Sequence, residues 1–384
     1  MLKNKNILVL SSITTYPVLS GGQARSHQII KELARYNTVK VFIPIARKSD
    51  FPKFSSFEVN CGNYAEYRLI NFFLQGITYI LERFGLFGAS FLLLKFILKT
   101  NRHLNNEINQ ADVIFLNFPH LSFLLEGKDK ESYYISHNVE HDLIASNMKI
   151  RNHNIRNYFI NKIQESEKTA IRLSRKTYAC TQADITTYMS NLGFNHDKFI
   201  ILENGVDKDK IVDIGPLPES YIGKNNKIVF VGSNFKPNHE AVSIIEDLAK
   251  VYKNLNFYII GSVAIGKQSH GNILYDSNRS QTSINSYLKY ADYAINPMIS
   301  GGGSNLKMVD YFYFGIPVIT TKIGLRGFEQ YSDIILNEFD IESLKDIIFK
   351  IDNNRKAIVD KGLEIAKKYF WEDLVYNKII NEKK

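Results

Sequence analysis

Short apolar runs alternate with longer stretches of helical spacing along the whole chain. In the first half the runs are NILVLSS from Asn6, TVKVFIP from Thr38, DVIFLNF from Asp112, SYYISH from Ser132, KTYACT from Lys176 and FIILENG from Phe199. Each is almost continuous in apolar side chains, as strands buried on both faces of a parallel sheet must be. Strands alternating with helices imply βαβ units. A second series follows: KIVFVGS from Lys227, NFYIIGS from Asn256, DYAINP from Asp292 and IPVITT from Ile316. Between the first two of these, Ala241, Ile244, Ile245, Leu248, Ala249 and Tyr252 recur at helical spacing and mark one face of an amphipathic helix. The stretch DIGPLPESYIGKNNK, Asp213 to Lys227, crowds prolines, glycines and polar residues together and reads as a loop or linker near the domain junction. The pattern predicts an α/β protein of two Rossmann-like domains, over 1–208 and 209–366. A length of 384 residues agrees, because one core rarely serves so long a chain. Open parallel sheets bind ligands beyond the carboxyl ends of their strands, so two such domains facing across a cleft put function in the loops after strands.

Two of those loops carry candidate chemistry. Gly21 and Gly22 follow the first strand and precede a helix beginning near Gln23, where a backbone without Cβ approaches a ligand closely and helix N–H groups face an anion. No G-x-G-x-x-G occurs at this turn, and no G-x-x-x-x-G-K-[ST] phosphate loop occurs in the chain. The stronger signal is PMISGGGSNLKMVDYFYFGIPVITT, Pro297 to Thr321: a strand end, a glycine loop, then an amphipathic helix from near Asn305 to Gly315. Free N–H groups around Gly303, Ser304 and Asn305, with Lys307 adding full charge, suit a diphosphate. Asp310, on the same helix face as Lys307, is placed to accept bonds from vicinal hydroxyls. The plainer alternative is a turn followed by a surface ion pair between Lys307 and Asp310.

This arrangement resembles the donor site of family 4 retaining glycosyltransferases (glycosyl transferases group 1) of the GT-B fold. Asn204-Gly205-Val206-Asp207 looks like the family's junction motif, KIVFVGS like the first strand of its C-terminal domain, and YFWEDL from Tyr369 like its closing helix, which implies a helix over 367–384 that packs back on the first domain. The resemblance implies that Gly21 and Gly22 face the donor diphosphate and the acceptor, and that His137, in SHNVEHD, lies beside the transferred sugar. It implies that Gly302, Gly303, Ser304, Asn305, Leu306 and Lys307 line the diphosphate site, and that Asp310 binds the donor ribose. His137, Lys307 and Asp310 are then the residues nearest the chemistry. The chain departs from the family at three places: Asp310 stands for a usual Glu, Gly302 for another Glu, and Ser233 and Lys236 for an Arg and a Lys after the strand. Lys236 is read as a substitute, with Lys307 bearing most of the phosphate charge. The activity implied is transfer of a hexose, with retention, from a UDP- or GDP-linked sugar to a hydroxyl acceptor, without metal or cofactor.

Charge and apolarity bear on the acceptor. A net charge of +9 suits anionic partners, yet the basic residues are scattered and form no nucleic-acid module. The apolar stretch Leu69 to Lys99 is broken by Glu82, Arg83 and Lys95 before it is long enough to span a bilayer, and reads as core helices or a face resting on a membrane. Together these point to a saccharide or lipid-linked acceptor of the cell envelope, at the inner face of the cytoplasmic membrane. Two cysteines, Cys61 and Cys180, and no secretory leader indicate a reducing cytoplasm. Three rivals remain open: a catalytically silent sugar- or nucleotide-binding protein of the same fold, a sugar-nucleotide epimerase, and a zinc protease. The last rests on His137-Asn138-Val139-Glu140-His141, which spells H-x-x-E-H, although His137 is placed at a strand end rather than within a helix.

Overall fold

The structure is a computed structural model that describes residues 1–18, 20–44, 57–61, 64–68, 76, 79–81, 83, 95–148, 150–211, 213–277, 279–301, 304–331 and 343–381. It divides into two compact units, Met1–Glu203 with Leu374–Lys384, and Asn204–Asp373.

The first unit runs β1 (Asn6–Ser11), α1 (Gly21–Ala34), β2 (Thr38–Ile43), β3 (Phe57–Asn60), β4 (Ala65–Arg68), α2 (Lys95–Lys99), α3 (Arg102–Gln110), β5 (Val113–Asn117), β6 (Ser132–Ile135), α4 (Glu140–Asn147), α5 (His153–Leu173), β7 (Lys176–Ala179), α6 (Gln182–Leu192) and β8 (Phe199–Ile201). The sheet order is β3-β4-β2-β1-β5-β6-β7-β8, parallel throughout except for β3 against β4. The chain winds outward both ways from β1, so the switch point lies between β1 and β5. All six apolar runs of the first half are strands. β4 escaped the pattern because its sequence AEYR buries a charged pair, Arg68 Nε on Glu66 Oε2 at 2.8 Å, with the Thr15 amide also donating to Glu66 Oε1. Such a strand has no apolar run to read. Most of the apolar stretch from Leu69 to Lys99, with its membrane reading, lies outside the described residues. Among the described residues no helix is long and apolar enough to cross a membrane.

The second unit runs β9 (Lys227–Val231), α7 (Lys236–Val251), β10 (Asn256–Ile260), β11 (Ile273–Asp276), α8 (Gln281–Lys289), β12 (Tyr293–Asn296), α9 (Leu306–Tyr313), β13 (Val318–Thr320), α10 (Leu344–Lys367) and α11 (Trp371–Val375). Its sheet, β11-β10-β9-β12-β13, is entirely parallel, with the switch point between β9 and β12. The apolar face of α7, with Ala241, Ile245 and Leu248 fully buried, closes over Phe230, Phe257 and Ile259 of the sheet.

Two expectations about the domain ends are corrected. The segment 213–227 is a loop, one of its two readings, but it is packed on the second unit and is not a free linker. Asp213 accepts from Thr282 Oγ1 at 2.7 Å, Asn285 Nδ2 donates to the Asp213 carbonyl at 2.9 Å, and buried Tyr221 packs edge-on against Tyr258 and Tyr287. Proline and glycine reported irregular backbone there but not what it packs on. The unit boundary instead falls before Asn204, whose Nδ2 donates to Ser304 Oγ at 2.5 Å, and Val206 N bonds the Tyr369 carbonyl at 2.8 Å. The closing helix is also not continuous from 367. α10 ends at Lys367, α11 begins at Trp371, and a π-helical turn, Tyr376–Ile380, returns to the first unit, where Leu2 N donates to Ile380 O at 2.8 Å.

Candidate active site

In the first unit the candidate groups gather at the switch point. β1 and β5 end in polar residues, Ser11 and Asn117, at the close of otherwise apolar runs. Asn117 Nδ2 donates to Ser11 Oγ at 2.9 Å and to Ser26 Oγ, on α1, at 3.0 Å. That fixes the orientation of the amide, so its Oδ1 accepts from His137 Nε2 at 2.7 Å. His137 thereby carries its proton on Nε2, and its buried Nδ1 has no partner among the described residues. Burial, then the nearby charge of Arg25, holds the imidazole well below its ordinary pKa, so it is neutral. Arg25 is anchored by Leu202 and Glu203 carbonyls at 2.7 and 3.1 Å. Phe118 stacks flat on the His137 ring, 4.1 Å between centroids and 7° between planes, from a backbone with φ 79°. A non-glycine residue there stores about 1–3 kcal/mol of strain, which such sites tolerate where the stack is useful. Neither Asn117 nor Phe118 was singled out from sequence; the polar ending of DVIFLNF was the available signal.

Gly21 and Gly22 stand elsewhere than expected. They are not loop residues but the first turn of α1, whose N-cap Ser20 accepts from Gln23 N at 3.4 Å. Ser20, not glycine, starts the helix. A Cβ on Gly22 would meet Ile13 and Phe118 side chains at 3.7 Å, ordinary contact distance, so the protein's own packing tolerates alanine there.

The H-x-x-E-H string is taken apart by the fold. His137 precedes α4 and turns to Asn117, whereas His141 lies within α4 with its Nδ1 on Glu167. Glu167 also accepts from the amides of Glu140 and His141, at 2.7 and 3.1 Å, and so caps the helix. Burial, then Glu167, pushes the Glu140 carboxyl up to about 8. The two histidines belong to different networks, and the zinc reading is withdrawn on that geometry.

In the second unit the loop after β12 and the start of α9 sit at the other switch point. Gly302 and Gly303 lie outside the described residues. Ser304 is held by Asn204 of the N-G-V-D stretch, a contact joining two motifs a hundred positions apart. Asn305 is the N-cap of α9 but makes no side-chain cap. Its Nδ2 donates to Gly324 O at 2.7 Å, and its amide goes to Arg326 O at 3.2 Å. The amide of Asn305 is therefore not a free donor, contrary to expectation; the uncapped first turn, Leu306 and Lys307, retains the helix-end amides for a ligand or water.

Lys307 does not pair with Asp310. Its Nζ donates to Asn238 Oδ1 at 3.0 Å and lies 4.0 Å from the centre of the Phe230 ring, a cation–π contact. Although the residue as a whole is half-buried, its ammonium is deep enough that burial, then the charge of Arg326, lowers its pKa to about 7. Full charge, as read from sequence, is therefore corrected to a lysine poised near neutrality. Asn238 links it to the loop after β9, donating to Ser233 O at 2.9 Å and Ser233 Oγ at 3.4 Å. Ser233 thus belongs to the Lys307 network. Lys236 does not: 69% exposed, it turns to Glu240 at 3.7 Å. Asp310 lies half-buried on α9. Asn238 and Arg326 were not singled out from the sequence, because their link to Lys307 spans positions remote in the chain.

Each unit is a doubly wound sheet with its candidate groups at the switch point, and the class so defined is the GT-B glycosyltransferase fold. Sucrose-phosphate synthase from Thermosynechococcus elongatus matches with a TM-score of 0.70 at 12% identity, over 99% of this chain and 100% of that one. Anabaena HepE, in complex with UDP-glucose, matches at 0.61 and 14% identity, over 98% and 99% of the two chains. WaaG, a glycosyltransferase involved in lipopolysaccharide biosynthesis, matches at 0.64 and 14%, over 96% and 97%. Residues 225–353, within the second unit, match the family model of glycosyl transferases group 1. Among curated proteins none matches the chain.

Proposed function

We propose that the chain is a retaining hexosyltransferase that takes a nucleoside diphosphate sugar on its second unit and passes the sugar to a hydroxyl acceptor of the cell envelope. The observation that carries this reading is Lys307, a cation drawn in among Phe230, Met298 and Asn238 beside an uncapped helix start at the switch point. As the diphosphate leaves, charge grows on its oxygens; Lys307, the Ser304 hydroxyl and the first-turn amides of α9 stabilise that charge most in the transition state. Asp310 takes the ribose hydroxyls. In the first unit His137 offers its unprotonated Nδ1 to a sugar hydroxyl as an acceptor and orients the sugar; a neutral imidazole also adds no like charge to an oxocarbenium-like centre. The complex of HepE with UDP-glucose makes UDP-linked sugars the first donors to test. The net charge of +9 supports an acceptor at an anionic lipid surface.

The test is thermal melting of the purified chain against UDP, GDP, ADP, CMP and their common sugar conjugates, since a ligand that binds only the native state raises the melting temperature. One nucleotide that raises it in the parent and not in Lys307→Ala supports the donor site and names the base. A screen in which every nucleotide leaves the melting temperature unchanged sinks the reading. Transfer to lipid-linked acceptors is then compared on vesicles with and without anionic lipid, and equal rates on both remove the membrane part.

A further inference from the structure

We propose that Arg326 is the second cation of this anion site, brought to it by the turn after β13 instead of by the loop after β9. The inference rests on the reading that the loop before α9 takes the donor's diphosphate. Each phosphate of that group carries negative charge, and one lysine faces them from α9. The loop after β9 contributes no second cation at Lys307, because Ser233 is neutral and Lys236 turns out to Glu240.

The turn 324–327 is fastened to Gly301 and Asn305 and packs against Ser304. Asn305 Nδ2 and Asn296 Nδ2 both donate to Gly324 O, at 2.7 and 2.8 Å. Arg326 O accepts from the Asn305 amide at 3.2 Å, and Arg326 Nη1 donates to Gly301 O at 2.9 Å. Gly327, at φ 89°, lies so close to Ser304 that a Cβ has no room. The guanidinium is therefore held at the mouth of the loop by a frame that also fixes Ser304 and Asn305. Its planar donors suit two phosphate oxygens at once, a geometry an ammonium lacks.

Lys307 senses that charge. The groups facing its ammonium are Phe230 from β9, Asn238 from α7 and Met298 after β12, none of which titrates. Glu240, on α7, is engaged by Ser300 Oγ and Lys236, and Arg326 is the charged neighbour that, after burial, holds Lys307 down. Like charges at one loop disfavour each other in the empty site, and a bound anion reverses that effect. Arg326 thus does two things: it binds phosphate, and it keeps Lys307 partly unprotonated until an anion arrives.

The experiment uses inorganic pyrophosphate as a probe without a base, titrated calorimetrically into the full chain across about pH 6 to about pH 9, with the fold of each variant checked by circular dichroism. We expect Arg326→Ala to weaken pyrophosphate by about tenfold or more and Arg326→Lys to recover part of the loss. We also expect the pH at which binding fades to move upward in Arg326→Gln, because Lys307 is released; a role limited to bracing the loop leaves that midpoint in place. Parent-like affinity and pH dependence in Arg326→Ala, with binding lost in Lys307→Ala, overturns the assignment of Arg326 and leaves the diphosphate site standing. Full recovery of affinity by Arg326→Gln, whose amide can still reach Gly301 O, also overturns it. Pyrophosphate that does not bind the parent, or binds every variant equally, overturns both readings.

Discussion

Lys307 and His137 are both held toward their neutral forms by burial, with opposite consequences. For Lys307 the pKa of about 7 means that the empty site is only partly charged at neutral pH. An anion favours the ammonium, so donor binding above about pH 7 takes up a proton, and affinity falls by up to about tenfold per pH unit as pH rises. Nucleotide titrations in buffers of different ionisation enthalpy measure that proton directly; a flat affinity over the same range refutes it. The sign for folding is the reverse. A lysine with a lowered native pKa binds fewer protons folded than unfolded between about 7 and its unfolded value near 10.4, so this residue's penalty on stability fades as pH rises through that window. His137 is neutral throughout this range, and its role is to accept one hydrogen bond. His137→Ala is expected to lower turnover by about tenfold, the worth of one hydrogen bond of about 1–1.5 kcal/mol, while donor affinity is kept. A matched loss of affinity and turnover argues that the residue only holds the fold.

At the scale of elements, the positions of strands and helices follow from periodicity, whereas the loops between them are set by close approach. Gly324 shows the difference. Its Cβ would overlap Thr320 Oγ1 and the Asn296 carbonyl, both at the ends of strands. Gly324→Ala is therefore expected to cost about 1–3 kcal/mol, the range for overpacking, and to displace the Asn305 bond that positions the loop, so donor binding falls as well. Gly127 is the control: its φ of 73° strains an alanine, but nothing lies within 4 Å. Gly127→Ala should cost about 1–2 kcal/mol with donor binding unchanged. Urea unfolding and nucleotide titration of both variants decide this, and equal donor affinity in the two removes the role given to the 324–327 turn. Of the strands that the apolar runs did not mark, β3, β4 and β11, β4 teaches the same lesson from the other side. Its charged residues are buried because they pair with each other and with Thr15, a partner 51 positions away that no local window contains.

For the molecule as a whole, the last residues belong to the first unit although they follow the second. Val375, Ile379 and Ile380 are essentially buried, and Lys378 Nζ donates to the Ile201 carbonyl at 2.7 Å. Deleting 374–384 removes apolar side chains worth about 1.5–3 kcal/mol each when fully buried. Hydrogen exchange should then show faster exchange at Leu2 and along β8, with β9 to β13 unchanged; exchange rates equal to those of the full chain contradict this account. Spacing alone was enough for the ten apolar runs, which all form parallel strands of the two sheets, and for the start of α9, because hydrophobic periodicity and a glycine loop before a helix are local signals. His137, Lys307 and Asp310 are candidates that the sequence proposes. Tertiary contacts alone made Lys307 donate to Asn238 and feel the charge of Arg326 instead of pairing with Asp310, let Asn117 fix the proton of His137, set Gly21 and Gly22 in the first turn of a helix, and packed 213–227. Those outcomes depend on burial and on partners from distant segments, and neither is written in the spacing of neighbouring residues.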